Sequence, residues 1–145
     1  MSEQENIRLA EQQIAALNAR DLDRYLQRID ESYVGESEMM PEPVRGPVGV
    51  RRSLEMIFAA FPDLRLETEQ ILTTGNHVIS RVRLTATHQG SYLGIAPTGK
   101  RISFQACNVV ELRDGKAIRG RLYADNASLL QQLGAVSLPR ATAAG

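Results

Sequence analysis

Two histidines, one cysteine and a handful of well-placed amides, phenols and carboxylates are the chemistry this chain can offer. His88 ends a run of alternating residues on its apolar side, next to a glycine-rich segment. Imidazole titrates near neutral pH, where proton transfer is most efficient. His88 is read either as an acid/base or as a buried histidine satisfied by a loop carbonyl. Asn108 interrupts the apolar series Ile102, Phe104, Ala106, Val110 and Leu112. A buried amide needs hydrogen-bond partners. It either orients a ligand carbonyl or hydroxyl, or pairs with a neighbouring side chain, but it cannot trade protons near pH 7. Asp125 precedes a short amphipathic stretch, where an aspartate is an N-cap. Glu36, Glu38 and Glu42 flank Met39 and Met40. One of them pushed into an apolar pocket would have a raised pKa, and otherwise all are solvated loop charges. Tyr25, Tyr33 and Tyr92 are candidate pocket hydroxyls. Cys107 points away from the apolar side and has no adjacent base, and His77 lies in a turn.

Other chemistries lack their residues. The chain has no Gly-x-Ser-x-Gly elbow, Walker loop, Rossmann glycine fingerprint or His-Glu-x-x-His motif. With two histidines a histidine-rich metal site is impossible, and no spacing supports a mixed one. Neither a metal nor a cofactor is expected. Seventeen basic and seventeen acidic residues balance, so no net field recruits nucleic acid or an acidic membrane surface. The single cysteine excludes an internal disulfide and suits a reducing compartment. No signal peptide and no membrane-length apolar run are present, so a cytoplasmic location is expected.

The elements that must position these groups follow from periodicity. Ser2 to Arg20 reads as a helix with Ile7, Ala10, Ile14 and Leu17 on its apolar face, and Ser2 with Glu5 fits a capping box. Asp21 caps a second helix in which Leu22, Tyr25, Leu26 and Ile29 share a side. Residues 36–46 have no period and read as a loop over a pocket mouth. Pro47 opens a third helix with a stripe of Val50, Leu54, Ile57, Phe58 and Phe61, ended by Pro62. From Leu64 the period becomes two. Leu64, Leu66, Thr68, Gln70 and Leu72 share one face, and Gly75-Asn76 turns the chain. Val78, Ser80, Val82, Leu84, Ala86 and His88 follow on the next strand. A third strand runs from Arg101 to Leu112. Asp114-Gly115 makes a tight turn into Ala117 to Ala124. Ser128 to Leu133 is a short helix stopped by Gly134. Helices followed by a strand meander indicate an α+β fold. Residues 1–136 form one domain, and 137–145 read as a frayed tail.

The loop Gly94-Ile95-Ala96-Pro97-Thr98-Gly99-Lys100-Arg101, then Arg113-Asp114-Gly115-Lys116, then Asp125 leading into Leu129-Leu130-Gln131-Gln132-Leu133-Gly134, resembles the signature of the SnoaL-like polyketide cyclases of the NTF2-like superfamily. The resemblance covers roughly residues 5 to 136, about the size of one domain. It implies a cone in which a curved antiparallel sheet wraps on the N-terminal helices around an apolar pocket. It implies a hydrophobic, oxygenated substrate of the aromatic polyketide type. His88, Asn108 and Asp125 are then the catalytic candidates. Tyr25, Tyr33, Glu36, Met40, Phe58, Ala106 and Leu122 are the substrate-binding candidates. The family's cyclases carry a histidine at the position matching Asn108 and an acid/base aspartate at the position matching Leu122, so this chain departs at both. Three readings follow: aldol-type ring closure with His88 as acid/base, cofactor-free hydroxylation of a reduced aromatic substrate, or a non-catalytic binding module. Relatives also associate through the outer sheet face. Here that face carries Arg81, Arg83, Arg101, Arg119 and Arg121 with Ile79, Val109, Glu111 and Tyr123, and a homodimer or higher homo-oligomer through it is expected.

Overall fold

The computed structural model describes residues 2–139, so the expected frayed tail lies largely outside the described residues. The first helix, α1, runs Glu3–Asn18. Ser2 caps it by accepting from the Glu5 amide, and the Glu5 carboxylate accepts from the Ser2 amide, which satisfies two of the orphan donors of the first turn. Its fully buried residues are Asn6, Leu9 and Ala16, and Ala10, Ile14 and Leu17 of the expected apolar face line the central cavity. α2 is one short turn of helix, Leu22–Leu26, capped by Asp21. Ile29, expected on that helix, instead begins strand β1, Ile29–Ser37. The tight segment after β1 returns as the two-residue strand β2, Val44–Arg45, and leads into α3, Gly46–Ala60, with proline in its first turn.

Four strands then meander: β3 Arg65–Thr74, β4 His77–Thr87, β5 Arg101–Arg113 and β6 Lys116–Ala124. The last helix is α4, Asn126–Gln132. The six-stranded sheet has the order β2-β1-β6-β5-β4-β3. The expected all-antiparallel sheet is mixed, because β1 pairs with β6 in parallel. The chain enters β1 from the same end of the molecule at which β6 begins, with Ile29 level with Ala117.

α1 packs over β3 and β4, and α3 packs over β1, so the sheet curls around the helices. Three side chains fasten the ends of this arrangement. Asn18 exchanges two hydrogen bonds with the Leu66 backbone, at 2.8 and 2.9 Å, and so completes the open edge of β3. Gln132 does the same for Ser103, at 2.8 Å for both bonds. Ser103 lies beyond the stretch of β5 that β6 covers, so the α4 amide replaces the missing strand. Asp63 accepts from the amide and hydroxyl of Thr87, both at 2.7 Å, and from Arg101 at 3.1 Å.

A bulge between Thr68 and Gln70 corrects the reading of β3. One extra residue moves every later side chain to the other face. Ile71 therefore joins the core and Leu72 is exposed. Met56, on α3, is also exposed.

Candidate active site

The concave sheet face and the three N-terminal helices enclose a cavity of about 350 Å³. β5 contributes Ile102, Phe104, Ala106, Asn108, Val110 and Leu112, the full inward series of an uninterrupted strand. β4 adds Val78, Ser80, Val82 and Leu84, and β6 adds Ala117, Leu122 and Ala124. α3 supplies Leu54, Ile57 and Phe58. Met39 and Met40, just after β1, border it. From α1 the lining residues are Asn6, Leu9, Ala10, Gln13, Ile14 and Leu17. Their spacing is a helical stripe in which two amides occupy otherwise apolar positions.

Polar groups are sparse in this lining; its charged side chain is Arg28, and none is a carboxylate, imidazole or thiol. Asn108 is central. In the β ladders it stands level with Ser80 on one side and Leu122 on the other. Tyr25 and Tyr33 face the same space. Burial pushes the Tyr25 phenol well above its ordinary range, and neighbouring Tyr33 pushes it further in the same direction. Burial alone raises Tyr33. Both therefore keep their protons and serve as O–H donors. Tyr92, on the loop after β4, also lines the cavity, with its ring 5.1 Å from Phe61 and its phenol raised by burial.

Tyr33 owes its position to two glycines. Gly35 and Gly120 face each other across β1 and β6. The Tyr33 ring lies over both: a Cβ on Gly35 would come within 2.8 Å of its hydroxyl, and one on Gly120 closer still. Only residues without a side chain leave that space open.

Seven of the ten expected site residues come together here: Tyr25, Tyr33, Met40, Phe58, Ala106, Asn108 and Leu122. His88, Asp125 and Glu36 do not. His88 lies just past the end of β4, fully buried but outside the cavity lining. Its Nδ1 accepts from the Thr98 amide at 3.1 Å and lies 3.0 Å from the Thr98 hydroxyl. Its backbone carbonyl accepts from Gly99, and its amide donates to Lys100. An acceptor Nδ1 assigns the proton of a neutral ring to Nε2. The imidazole thus ties the loop of residues 89–100 back on itself, beside Phe61 at 5.5 Å. Asp125 is exposed and caps α4 by accepting from Ser128 at 3.1 Å. Glu36 is exposed and pairs with Arg121 at 3.1 Å, as Glu38 also does. His77 starts β4 opposite Glu111, also outside the cavity.

The polar lining residues missed from sequence are Asn6, Gln13, Arg28, Ser37, Ser53, Ser80 and Asn126. Asn6 and Gln13 carried a signal, since each sits three or four residues from Leu9 and Ala10, and Gln13 also four from Leu17, on the same helical face. Among the described residues, no group of three or more histidine, cysteine or acidic side chains could hold a metal ion. Among the described residues, no helix is long and apolar enough to cross a membrane.

The model of the SnoaL-like polyketide cyclases matches residues 7–133. The aklanonic acid methyl ester cyclase AcmA of Streptomyces galilaeus is 27% identical over 135 residues, covering 92% of each chain. AclR of Streptomyces galilaeus, a candidate hydroxylase, superposes with a TM-score of 0.84 at 31% identity, over 94% of this chain and all of its own. A SnoaL-like polyketide cyclase candidate from Jannaschia sp. CCS1 has a TM-score of 0.85 at 20% identity, over 94% and 98% of the two chains, and bears on the fold alone.

Proposed function

Because this chain belongs to the SnoaL-like polyketide cyclase family, we propose that its cavity takes an aromatic polyketide-type substrate and that the reaction is cofactor-free hydroxylation. The observation that carries this reading is the lining itself. An aldol closure needs a group that removes a proton from carbon and returns one to oxygen. No lining side chain is a carboxylate, imidazole or thiol, and Leu122, where the resemblance implies the cyclase aspartate, is one of the lining residues. The proton-holding phenols of Tyr25 and Tyr33 and the amide of Asn108 can orient oxygen atoms without exchanging protons.

In this reading the substrate is a reduced hydroquinone and supplies all four electrons that dioxygen accepts. One oxygen atom replaces hydrogen on a ring carbon. The other leaves as water with two hydrogens, and the product is the hydroxylated quinone. The protein contributes orientation and a desolvated site. The likeness to AclR supports this chemistry, and the likeness to AcmA supports the substrate class.

The test is oxygen consumption with an anthracycline-type hydroquinone, run beside ring closure with an aklanonic acid methyl ester-type substrate. Protein-dependent oxygen uptake without closure is the expected result. Closure without uptake would overturn it in favour of a cyclase, and binding with neither would leave a carrier.

A further inference from the structure

Among the described residues, Asn6 Oδ1 and His88 Nε2 are the side-chain polar atoms that are both sealed from solvent and without a partner. The hydroxyls of Tyr33 and Ser80 and the amide of Asn108 also bond to nothing among the described residues, but they are not sealed. These three side chains are half-buried and line the main cavity, so their polar atoms open onto it. They form a row across the inner face of the sheet. Ser80 and Asn108 stand level on β4 and β5. Such partners hold their Cβ atoms about 4.5–5.5 Å apart. The Tyr33 oxygen lies where a side chain on Gly120 would begin. Gly120 is level with Val110, one inward step from Asn108. That diagonal separation is about 7–8 Å, which an amide side chain and a hydrogen bond at each end span.

We propose that Tyr33, Asn108 and Ser80 form an oxyanion-binding row that holds a phenolic oxygen of the substrate in its deprotonated form. The proposal rests on the aromatic substrate class argued above, and it names how the site makes the electrons of that substrate available to dioxygen. All three groups can donate, through two O–H bonds and an amide N–H. A carbonyl oxygen accepts two hydrogen bonds, and a phenolate oxygen has room for a third. Burial raises the Tyr33 phenol, which keeps its proton for this bond. Donors fixed before the ligand arrives stabilise an anion strongly in a site that excludes water. Burial of the ligand opposes them, because it disfavours the charged form. Three donors on one oxygen tip that balance toward the anion. The proton departs to bulk water as the phenol binds, so no base is needed in the lining. Arg28 reaches the Gly115 carbonyl at 3.5 Å, at the turn beyond Leu112, and Asp114 borders the smaller hollow at that same turn. Leu112 is already four residues along β5 from Asn108, roughly 13 Å at about 3.3 Å per residue. Neither charge stands at the row. Tyr25 and Tyr92, the remaining titratable groups of the lining, are raised by burial and keep their protons as well.

The experiment titrates the absorbance of 2-hydroxyanthraquinone, whose phenol and phenolate differ in colour, free and bound to saturating protein. Bound to wild type, the probe should ionise at least about one pH unit below the free probe, about a tenfold preference for the anion. Tyr33→Phe, Asn108→Leu and Ser80→Ala should each cancel part of that shift, and Ser80→Thr, which keeps the hydroxyl, should retain it. 2-Methoxyanthraquinone cannot ionise and should bind wild type and these variants alike, as an intact cavity requires. Ionisation of the bound probe above the free value would overturn the proposal. So would a downward shift that survives all three donor deletions but is lost in Arg28→Gln, which would place the anion at that arginine. If neither probe binds wild type, the aromatic substrate class fails, and this proposal with it. Oxygen uptake with a hydroquinone but no downward shift would leave the hydroxylase reading standing and remove the oxyanion row alone.

Discussion

Asn108 and Leu122 stand level in the ladder between β5 and β6, and both line the cavity. The two positions at which the resemblance implies a cyclase histidine and aspartate are thus direct neighbours lining the cavity. The pair Asn108→His and Leu122→Asp should introduce an acid/base couple in one step. Leu122 is 39% exposed, so the carboxylate is not fully desolvated and the stability change should stay within about 1 kcal/mol. The expected outcome is new ring closure on an ester substrate with at least about tenfold less oxygen uptake. Unchanged chemistry in the folded double variant would mean these two positions do not set the reaction.

The Tyr33 phenol depends on the bare backbone of Gly120. Gly120→Ala should displace the ring and cost about 1–3 kcal/mol, as overpacking does. Adding Tyr33→Phe removes the clashing hydroxyl and should recover part of that loss, which thermal denaturation of the single and double variants measures. A fully additive pair would remove the contact from the account.

His88 secures the 89–100 loop through Thr98. His88→Ala should lower stability by about 2–4 kcal/mol, the range for a buried ring with a hydrogen bond. Turnover per folded molecule should change little. A hundredfold loss of turnover in protein that remains folded would return His88 to the chemistry.

The Asp63 carboxyl is held below its ordinary range, first by the Thr87 amide, with help from the Thr87 hydroxyl and Arg101. A depressed folded-state pKa adds stability above the unfolded value, and that stability is lost as pH falls through the folded one. The melting-temperature gap between wild type and Asp63→Asn should therefore be full at neutral pH and close below the ordinary carboxylate range. A gap independent of pH would contradict this.

Where periodicity was clean, the sequence was readable. The Ser2–Glu5 box, the α3 stripe and the inward series from Ile102 to Leu112 all lie where alternation or helical spacing put them. β1 was not readable, because Asp30, Glu31, Ser32 and Glu36 lie among its few apolar residues and its parallel partner β6 is 85 to 88 positions away. Ile29 to Ala117 and Tyr33 to Gly120 are relationships that only the assembled sheet reveals. The β3 bulge hid the inward turn of Ile71 for a similar reason. Alternation correctly gave His88 a buried side. Its partner, Thr98, reaches it only once the intervening loop has folded back. Asn6 and Gln13 passed unnoticed because amides in a helix ordinarily mark the solvent side.

The central claim is that this cavity orients a self-oxidising substrate and exchanges no protons near neutral pH. Turnover of an anthracycline-type hydroquinone under ¹⁸O₂ tests it most directly. The account predicts one labelled oxygen in the quinone product, with the other in water. A product without label, or a closed ring formed under anaerobic conditions, would contradict it.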